Sequence, residues 1–180
     1  VVRVAISDRA EGTSRDAAAR AVFGDVASAG YRAFRAGMSE YAALLPKIKD
    51  AFRREFVTAS GRVGENTQTA YALALQFDLL PEDQRAGAAQ RLATEVKTRG
   101  HLTTGFVGTP YLCDVLTRFG HLDVAYQLLN REEYPSWLYP VKQGATTIWE
   151  RWDGQKPDGT FQTVEMNSFN HYAYGAIGDW

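Results

Sequence analysis

Apolar side chains recur every three or four residues along residues 31–129, which is the spacing of amphipathic helices. The longest series predicts a helix over residues 31–56, with Pro46 inside it as an expected kink or break. Its apolar face consists of Phe34, Met38, Tyr41, Leu45, Ile48, Phe52 and Phe56. Capping residues and helix stops predict four further helices: from Asn66 or Thr67 to about Leu79, from Pro81 to Gly100, from Pro110 to Gly120, and from Leu122 to Leu129.

Short polar loops separate these helices, and almost no strand signal occurs between them. In the helix that ends near Leu79, the predicted inward residues are Ala70, Leu73, Ala74 and Phe77; in the next helix they are Ala88, Leu92 and Val96. The pattern predicts an all-α protein of consecutive antiparallel hairpins. Hairpins of this kind build bundles, solenoids or toroidal α/α barrels.

The character of the chain changes after Asn130, where tryptophan and proline become frequent and long apolar periods disappear. Turn-forming residues predict a loop over residues 153–159. The last segment, residues 169–180, is predicted to be a helix with Tyr172, Ala173, Ala176 and Trp180 on one face.

Composition and charge exclude several classes of function. The chain has 180 residues, 45% of them hydrophobic and 23% charged, which is ordinary for one globular domain. Its net charge of −1, without a basic stripe, argues against nucleic acid or an anionic membrane as a partner. The chain contains neither a signal-peptide pattern nor an apolar run long enough to span a membrane, and its single cysteine does not indicate a compartment. No spacing of ligands or glycines indicates a metal, a phosphate-binding cofactor or a nucleophile elbow.

The candidate chemistry lies near the C-terminus. Glu150 stands between Trp149 and Trp152, and a second polar cluster contains Asn170 and His171. Sugar sites use aromatic faces against the CH face of the ring, and carboxylate, imidazole and amide groups for its hydroxyls. A carboxylate among aromatic rings can also act as an acid or base. From the residues alone, the structural roles are favoured: a solvated Glu150 paired with Arg151, a structural histidine and tryptophans used for packing.

Five stretches resemble one enzyme family. They are Gln143–Asp153, Asn167–Trp180, Gln68–Leu75, Gly100–Pro110 and Tyr134–Trp137. Taken in chain order, they are similar to the C-terminal half of the catalytic domain of α-L-rhamnosidases, glycoside hydrolase family 78. The resemblance covers about residues 60–180.

The resemblance implies an (α/α)6 toroid, of which this chain would form about half. It implies hydrolysis of terminal, non-reducing α-L-rhamnose from glycosides, with inversion at the anomeric carbon and no cofactor. Glu150 matches the general base of the family, and His171 matches its sugar-binding histidine. Asn170, Trp149 and Trp152 are further candidates for substrate binding, with at most one of the two tryptophans facing the sugar.

One departure from the family pattern concerns the general acid, which lies upstream in the family and has no counterpart here. We therefore expect residues 1–180 to be a fragment of a single toroidal catalytic domain, with residues 1–30 poorly matched. Such a fragment should be inactive alone and should self-associate through the faces left uncovered. The alternative from another class is a non-catalytic helical module that binds carbohydrate or protein through the same aromatic cleft.

Overall fold

The computed structural model describes residues 36–180, which fall into two units, one on each side of Asp50. In the first unit, residues 36–50 are helical throughout, including Pro46. The predicted break at Pro46 is therefore wrong, because the helix tolerates the missing N–H there. Five large apolar side chains of this helical stretch are between 47% and 74% exposed: Met38, Tyr41, Leu44, Leu45 and Ile48. Phe34 lies outside the described residues.

The second unit, Ala51–Trp180, is built from helices. It begins with helical residues 51–56, and five α-helices follow, named here α1 Gln68–Gln76, α2 Glu82–Arg99, α3 Thr109–Arg118, α4 Leu122–Leu129 and α5 Leu138–Lys142. A 3-10 helix, Tyr172–Asp179, ends the chain. Within residues 36–180, β-pairing is limited to two isolated bridges, Val57 with Val63 and Gln155 with Phe161. The all-α prediction is confirmed. No helix in this range has the length and apolar character needed to cross a membrane.

The helix ends follow their capping residues. Thr67 caps α1, since its Oγ1 accepts a hydrogen bond from the Ala70 amide at 3.2 Å. Gly100 ends α2 with a left-handed φ of 73°, a conformation that a glycine adopts without strain. Pro110 lies in the first turn of α3, where its missing N–H costs nothing. Three predicted helix boundaries are thus confirmed, whereas α1 ends at Gln76 rather than near Leu79.

Helix α3 lies at the centre of the unit, where it contacts α1, α2, α4 and the 3-10 helix. Its Leu112, Val115 and Leu116 are fully buried, and each such side chain contributes about 1.5–3 kcal/mol when removed from water. Helices joined by short loops, as α1–α2 and α3–α4 are, pack as neighbouring hairpins.

The predicted inward faces are correct for α2 and only partly correct for α1. Ala88, Leu92 and Val96 of α2 are buried. In α1, Tyr71, Ala72 and Leu75 are buried together with the predicted Ala74, whereas Phe77 is exposed. Residues 70–75 are apolar all round the helix, so periodicity alone could not select the buried face.

The C-terminal segment is a 3-10 helix instead of the predicted α-helix. Because a 3-10 helix has three residues per turn, Tyr174, Ile177 and Trp180 lie on one face, which packs against the core. Tyr172 is 88% exposed, so the predicted face is wrong at this residue, whereas its predicted member Trp180 does pack against the core.

Candidate active site

Two extended segments pair through their backbones and bring the two predicted clusters side by side. The amide of Glu150 donates to the Ser168 carbonyl at 2.8 Å, and the amide of His171 donates to the Ile148 carbonyl, also at 2.8 Å. Thr147 Oγ1 adds a bond to the Phe169 carbonyl at 2.5 Å. Residues 147–150 therefore run beside residues 168–171.

Glu150 is held within this pairing and is only 9% exposed. Its Oε2 accepts a hydrogen bond from the Ser168 amide at 2.7 Å. Charge-assisted bonds of this length are among the stronger ones in proteins. The carboxylate is thus fixed in orientation by backbone, which suits a group that must act from one position.

Arg151 and Asp153 form the charged pair beside Glu150. Arg151 Nε donates to Asp153 Oδ1 at 2.9 Å, and Gln162 Nε2 donates to Asp153 Oδ2. Burial raises the pKa of Asp153, but the hydrogen bonds from Arg151 and Gln162 outweigh it and hold that pKa below its usual value. Hydrogen bonds from the side chain and backbone of Thr160 likewise lower the pKa of Asp158. Both carboxyl groups are ionised at neutral pH, so neither has a proton to donate there.

Tyr174 is the centre of an aromatic cluster beside these charges. Its ring stacks on Trp152 with centroids 3.9 Å apart and an interplanar angle of 11°. Trp137 donates from Nε1 to the Tyr174 carbonyl at 2.9 Å and meets Trp152 edge-on. Burial raises the pKa of Tyr174, and the carboxylates of Asp153 and Glu150 add to that shift while Arg151 opposes it. The phenol is therefore protonated at neutral pH and lies within electrostatic reach of Glu150.

The two candidate tryptophans line one small cavity. Trp149 is buried between the edges of Tyr139 and Phe169, whereas Trp152 is partly exposed. The cavity has a volume of about 30 Å³, and neither Glu150 nor His171 is among its lining residues. That volume corresponds to one water molecule, so a sugar ring does not fit inside it.

His171 and Asn170 belong to the second of the two paired segments, residues 168–171. The imidazole of His171 stacks in parallel on Phe106, with centroids 5.0 Å apart and an angle of 7°. Its Nδ1 accepts from the Ala173 amide at 3.4 Å, so the ring also caps the 3-10 helix. Asn170 is exposed, and its backbone amide donates to Ser168 Oγ at 3.1 Å.

Among residues 36–180, no group of three or more His, Cys, Asp and Glu side chains is arranged to hold a metal ion. A groove of about 450 Å³ lies along α2 between Asn66 and Arg99, away from every predicted site residue.

Helical hairpins that carry a fixed carboxylate beside an imidazole and aromatic rings fit a helical glycosidase, since carboxyl groups catalyse glycoside hydrolysis. Comparison with known families places the chain within that class. The model of the bacterial α-L-rhamnosidase six-hairpin glycosidase domain matches residues 8–180, and the chain belongs to this family. The family and the fold predicted from the sequence motifs are confirmed.

Relatives with known names support the same assignment. The chain is 52% identical over 141 residues to an α-L-rhamnosidase from Streptomyces avermitilis, a match that covers 78% of this chain and 14% of the relative. The crystal structure of S. avermitilis α-L-rhamnosidase in complex with L-rhamnose superposes with a TM-score of 0.79 at 49% identity, covering 85% of this chain and 15% of that one. The α-L-rhamnosidase structure from Aspergillus terreus has the same TM-score at 38% identity, with coverages of 85% and 18%. The chain therefore spans about one-sixth of the length of these proteins.

Sequence reasoning missed three residues that shape the site. Tyr174 was overlooked because an α-helical period selected Tyr172 in its place. Phe106, a lone large aromatic residue in the small polar stretch 102–108, was a signal that could have been used. The contribution of Ser168 comes from its backbone amide, which no side-chain pattern reveals.

Proposed function

We propose that the protein carrying this chain is an inverting α-L-rhamnosidase that removes terminal, non-reducing α-L-rhamnose from glycosides, with Glu150 as general base. The observation that carries the proposal is the Glu150 carboxylate, largely buried and oriented by the Ser168 amide beside the segment of His171. Membership in the rhamnosidase family supports it, as does the L-rhamnose complex of the S. avermitilis relative.

The general base of an inverting glycosidase deprotonates a water molecule that attacks the anomeric carbon on the face opposite the leaving group. A base of this kind must keep its orientation while the water reacts. The short hydrogen bond from the Ser168 amide supplies that constraint for one oxygen of Glu150. The phenol of Tyr174 and the guanidinium of Arg151 lie close enough to act on its charge.

In this proposal His171 and Asn170 bind hydroxyls of rhamnose. The Nδ1 of His171 is engaged by the Ala173 amide, which leaves Nε2 for the sugar. The exposed Asn170, which precedes His171 in the chain, contributes its side-chain amide. Of the two tryptophans, Trp152 is the better candidate for a sugar contact, because Trp149 is buried by packing.

In this proposal neither Asp153 nor Asp158, two acidic residues that follow Glu150 in the chain, is the general acid. Inverting glycosidases place acid and base about 6.5–9.5 Å apart, and the acid needs a raised pKa. The lowered pKa values of Asp153 and Asp158 make both unsuited to that role. We therefore expect residues 1–180, purified alone, to hydrolyse rhamnosides poorly.

We also propose that the isolated chain self-associates through the apolar side chains of residues 38–48. These side chains are between 47% and 74% exposed, and contiguous apolar patches of several hundred Å² are uncommon on stable monomers. Sedimentation velocity should show species larger than a monomer at micromolar concentration. Replacing Tyr41 and Ile48 by serine should shift the distribution toward the monomer, and an unchanged distribution would contradict the proposal.

The reaction itself is tested by following the full-length protein on an aryl α-L-rhamnoside by proton NMR. The expected first product is β-L-rhamnose, which then mutarotates to the equilibrium mixture. First appearance of α-L-rhamnose would refute inversion. Saturable rhamnose binding without any turnover would instead favour a carbohydrate-binding module.

A further inference from the structure

The loop over residues 102–108 is fastened to the core by buried polar groups. Gln68 of α1 is fully buried, donates from Nε2 to the His101 carbonyl at 3.1 Å, and accepts from the Thr103 amide at 2.8 Å. The buried hydroxyls of Thr104 and Thr109 form a hydrogen bond of 2.8 Å. Both ends of the loop are therefore fixed by bonds whose loss would leave buried groups unsatisfied.

From this fixed base the loop makes two contacts with the candidate site. The Thr104 carbonyl accepts from Trp152 Nε1 at 2.8 Å. Phe106 lies parallel to the His171 ring at 5.0 Å and tilted against Tyr174 at 5.1 Å. Phe106 is 40% exposed, so core burial does not account for a large aromatic side chain in this loop.

The orientation of the His171 ring depends on these neighbours. Rotation about the second side-chain torsion of histidine is broad and intrinsically weakly restrained. The bond from the Ala173 amide to Nδ1 is long, at 3.4 Å, and restrains one ring atom only. The parallel face of Phe106 at 5.0 Å, and that of Tyr172 at the longer distance of 6.2 Å, restrain the plane of the whole ring. Because Nδ1 accepts the bond from the Ala173 amide, the N–H of the ring is on Nε2, where it can be donated to a sugar hydroxyl.

We propose that Phe106 is a positioning residue that acts through His171 and thereby sets the affinity for rhamnose. The inference rests on the proposed function and adds to it a residue of the loop before α3. Phe106 need not touch the sugar. Its ring holds the imidazole in the plane from which Nε2 reaches the ligand.

The test is a double-mutant cycle in the full-length protein, with KM and kcat for an aryl α-L-rhamnoside and Kd for L-rhamnose as readouts. Phe106→Ala and Phe106→Leu should raise Kd and KM by about 3- to 10-fold, the range expected for loss of one aromatic stack. The change in kcat should be smaller. Phe106→Tyr, which keeps the ring, should restore wild-type values.

The decisive comparison is the same substitution in a His171→Ala background. If Phe106 acts through His171, adding Phe106→Ala to that variant should change Kd by less than about 2-fold. An equal loss in both backgrounds, or wild-type affinity for Phe106→Leu, would overturn the inference. Equal thermal midpoints for wild type and Phe106→Leu would show that the loss does not come from unfolding. A wild-type protein that neither binds nor hydrolyses rhamnosides would refute the proposed function itself, a result distinct from failure of the cycle.

Discussion

Replacing Gln68 by methionine should destabilise the chain because it removes two bonds at once while keeping the side-chain length. The buried side-chain amide bridges two residues at the start of the loop between α2 and α3, because it bonds to the His101 carbonyl and to the Thr103 amide. Each lost bond of this kind costs about 0.5–1.5 kcal/mol, and a group left without any partner costs about 1–3 kcal/mol. Thr103 is exposed, so water can partly replace the bond to its amide. We therefore expect a loss of about 2 kcal/mol.

Urea unfolding followed by circular dichroism measures this loss. With a slope of about 2 kcal/mol per M, the midpoint should fall by about 1 M urea. The matched control is Gln90→Met on the exposed face of α2, where Gln90 bonds only to exposed Thr94. It should change stability by less than about 0.5 kcal/mol. If Gln68→Met shifts the midpoint no more than Gln90→Met does, the amide does not fasten the loop.

Two further predictions concern stability. Gly108→Ala should destabilise the folded chain by about 1–3 kcal/mol in urea unfolding, because the new Cβ would lie 2.7 Å from Thr69 Oγ1. Gly87→Ala, inside helix α2, should stabilise it by about 0.5–1 kcal/mol, because nothing lies within 4 Å of the new Cβ. Equal effects of the two substitutions would contradict the steric explanation. The pKa of Asp153 is lower in the folded protein than in the unfolded chain, so its contribution to stability is present above the unfolded pKa and is lost as the pH falls through the folded one. Asp153→Asn should thus be less stable than wild type at pH 7, with a difference that shrinks below about pH 4; a difference independent of pH would refute this linkage.

The helices from α2 to α4 were predictable because their signals are local. Gly100 adopts the left-handed conformation that a helix stop requires, and Pro110 fits a first turn. In α2 the buried Ala88, Leu92 and Val96 recur every four residues on one face, so the buried side was readable as well. In α1, by contrast, an apolar sequence all round the helix left the choice to tertiary packing, which selected Tyr71 and Leu75.

The candidate site was predictable as a set of residues and not as an arrangement. The motifs around Glu150 and His171 indicated which side chains to examine, but their neighbourhood depends on backbone pairing between residues 147–150 and 168–171. No periodicity marks that pairing, because two short extended segments without a regular strand leave no pattern. The 3-10 geometry of the last helix was likewise unreadable, since periods of 3.0 and 3.6 differ by only about 0.6 residue per turn and the helix has 8 residues.

The proposed reaction depends most directly on Glu150, and the rate of nitrophenol release from an aryl α-L-rhamnoside by the full-length protein tests this role. Glu150→Gln keeps the shape of the side chain and removes the base, so kcat should fall by about 10²- to 10⁴-fold. The exposed Glu165→Gln variant is the matched control and should keep wild-type activity. Wild-type turnover by Glu150→Gln, with correct folding, would contradict the assignment of the general base.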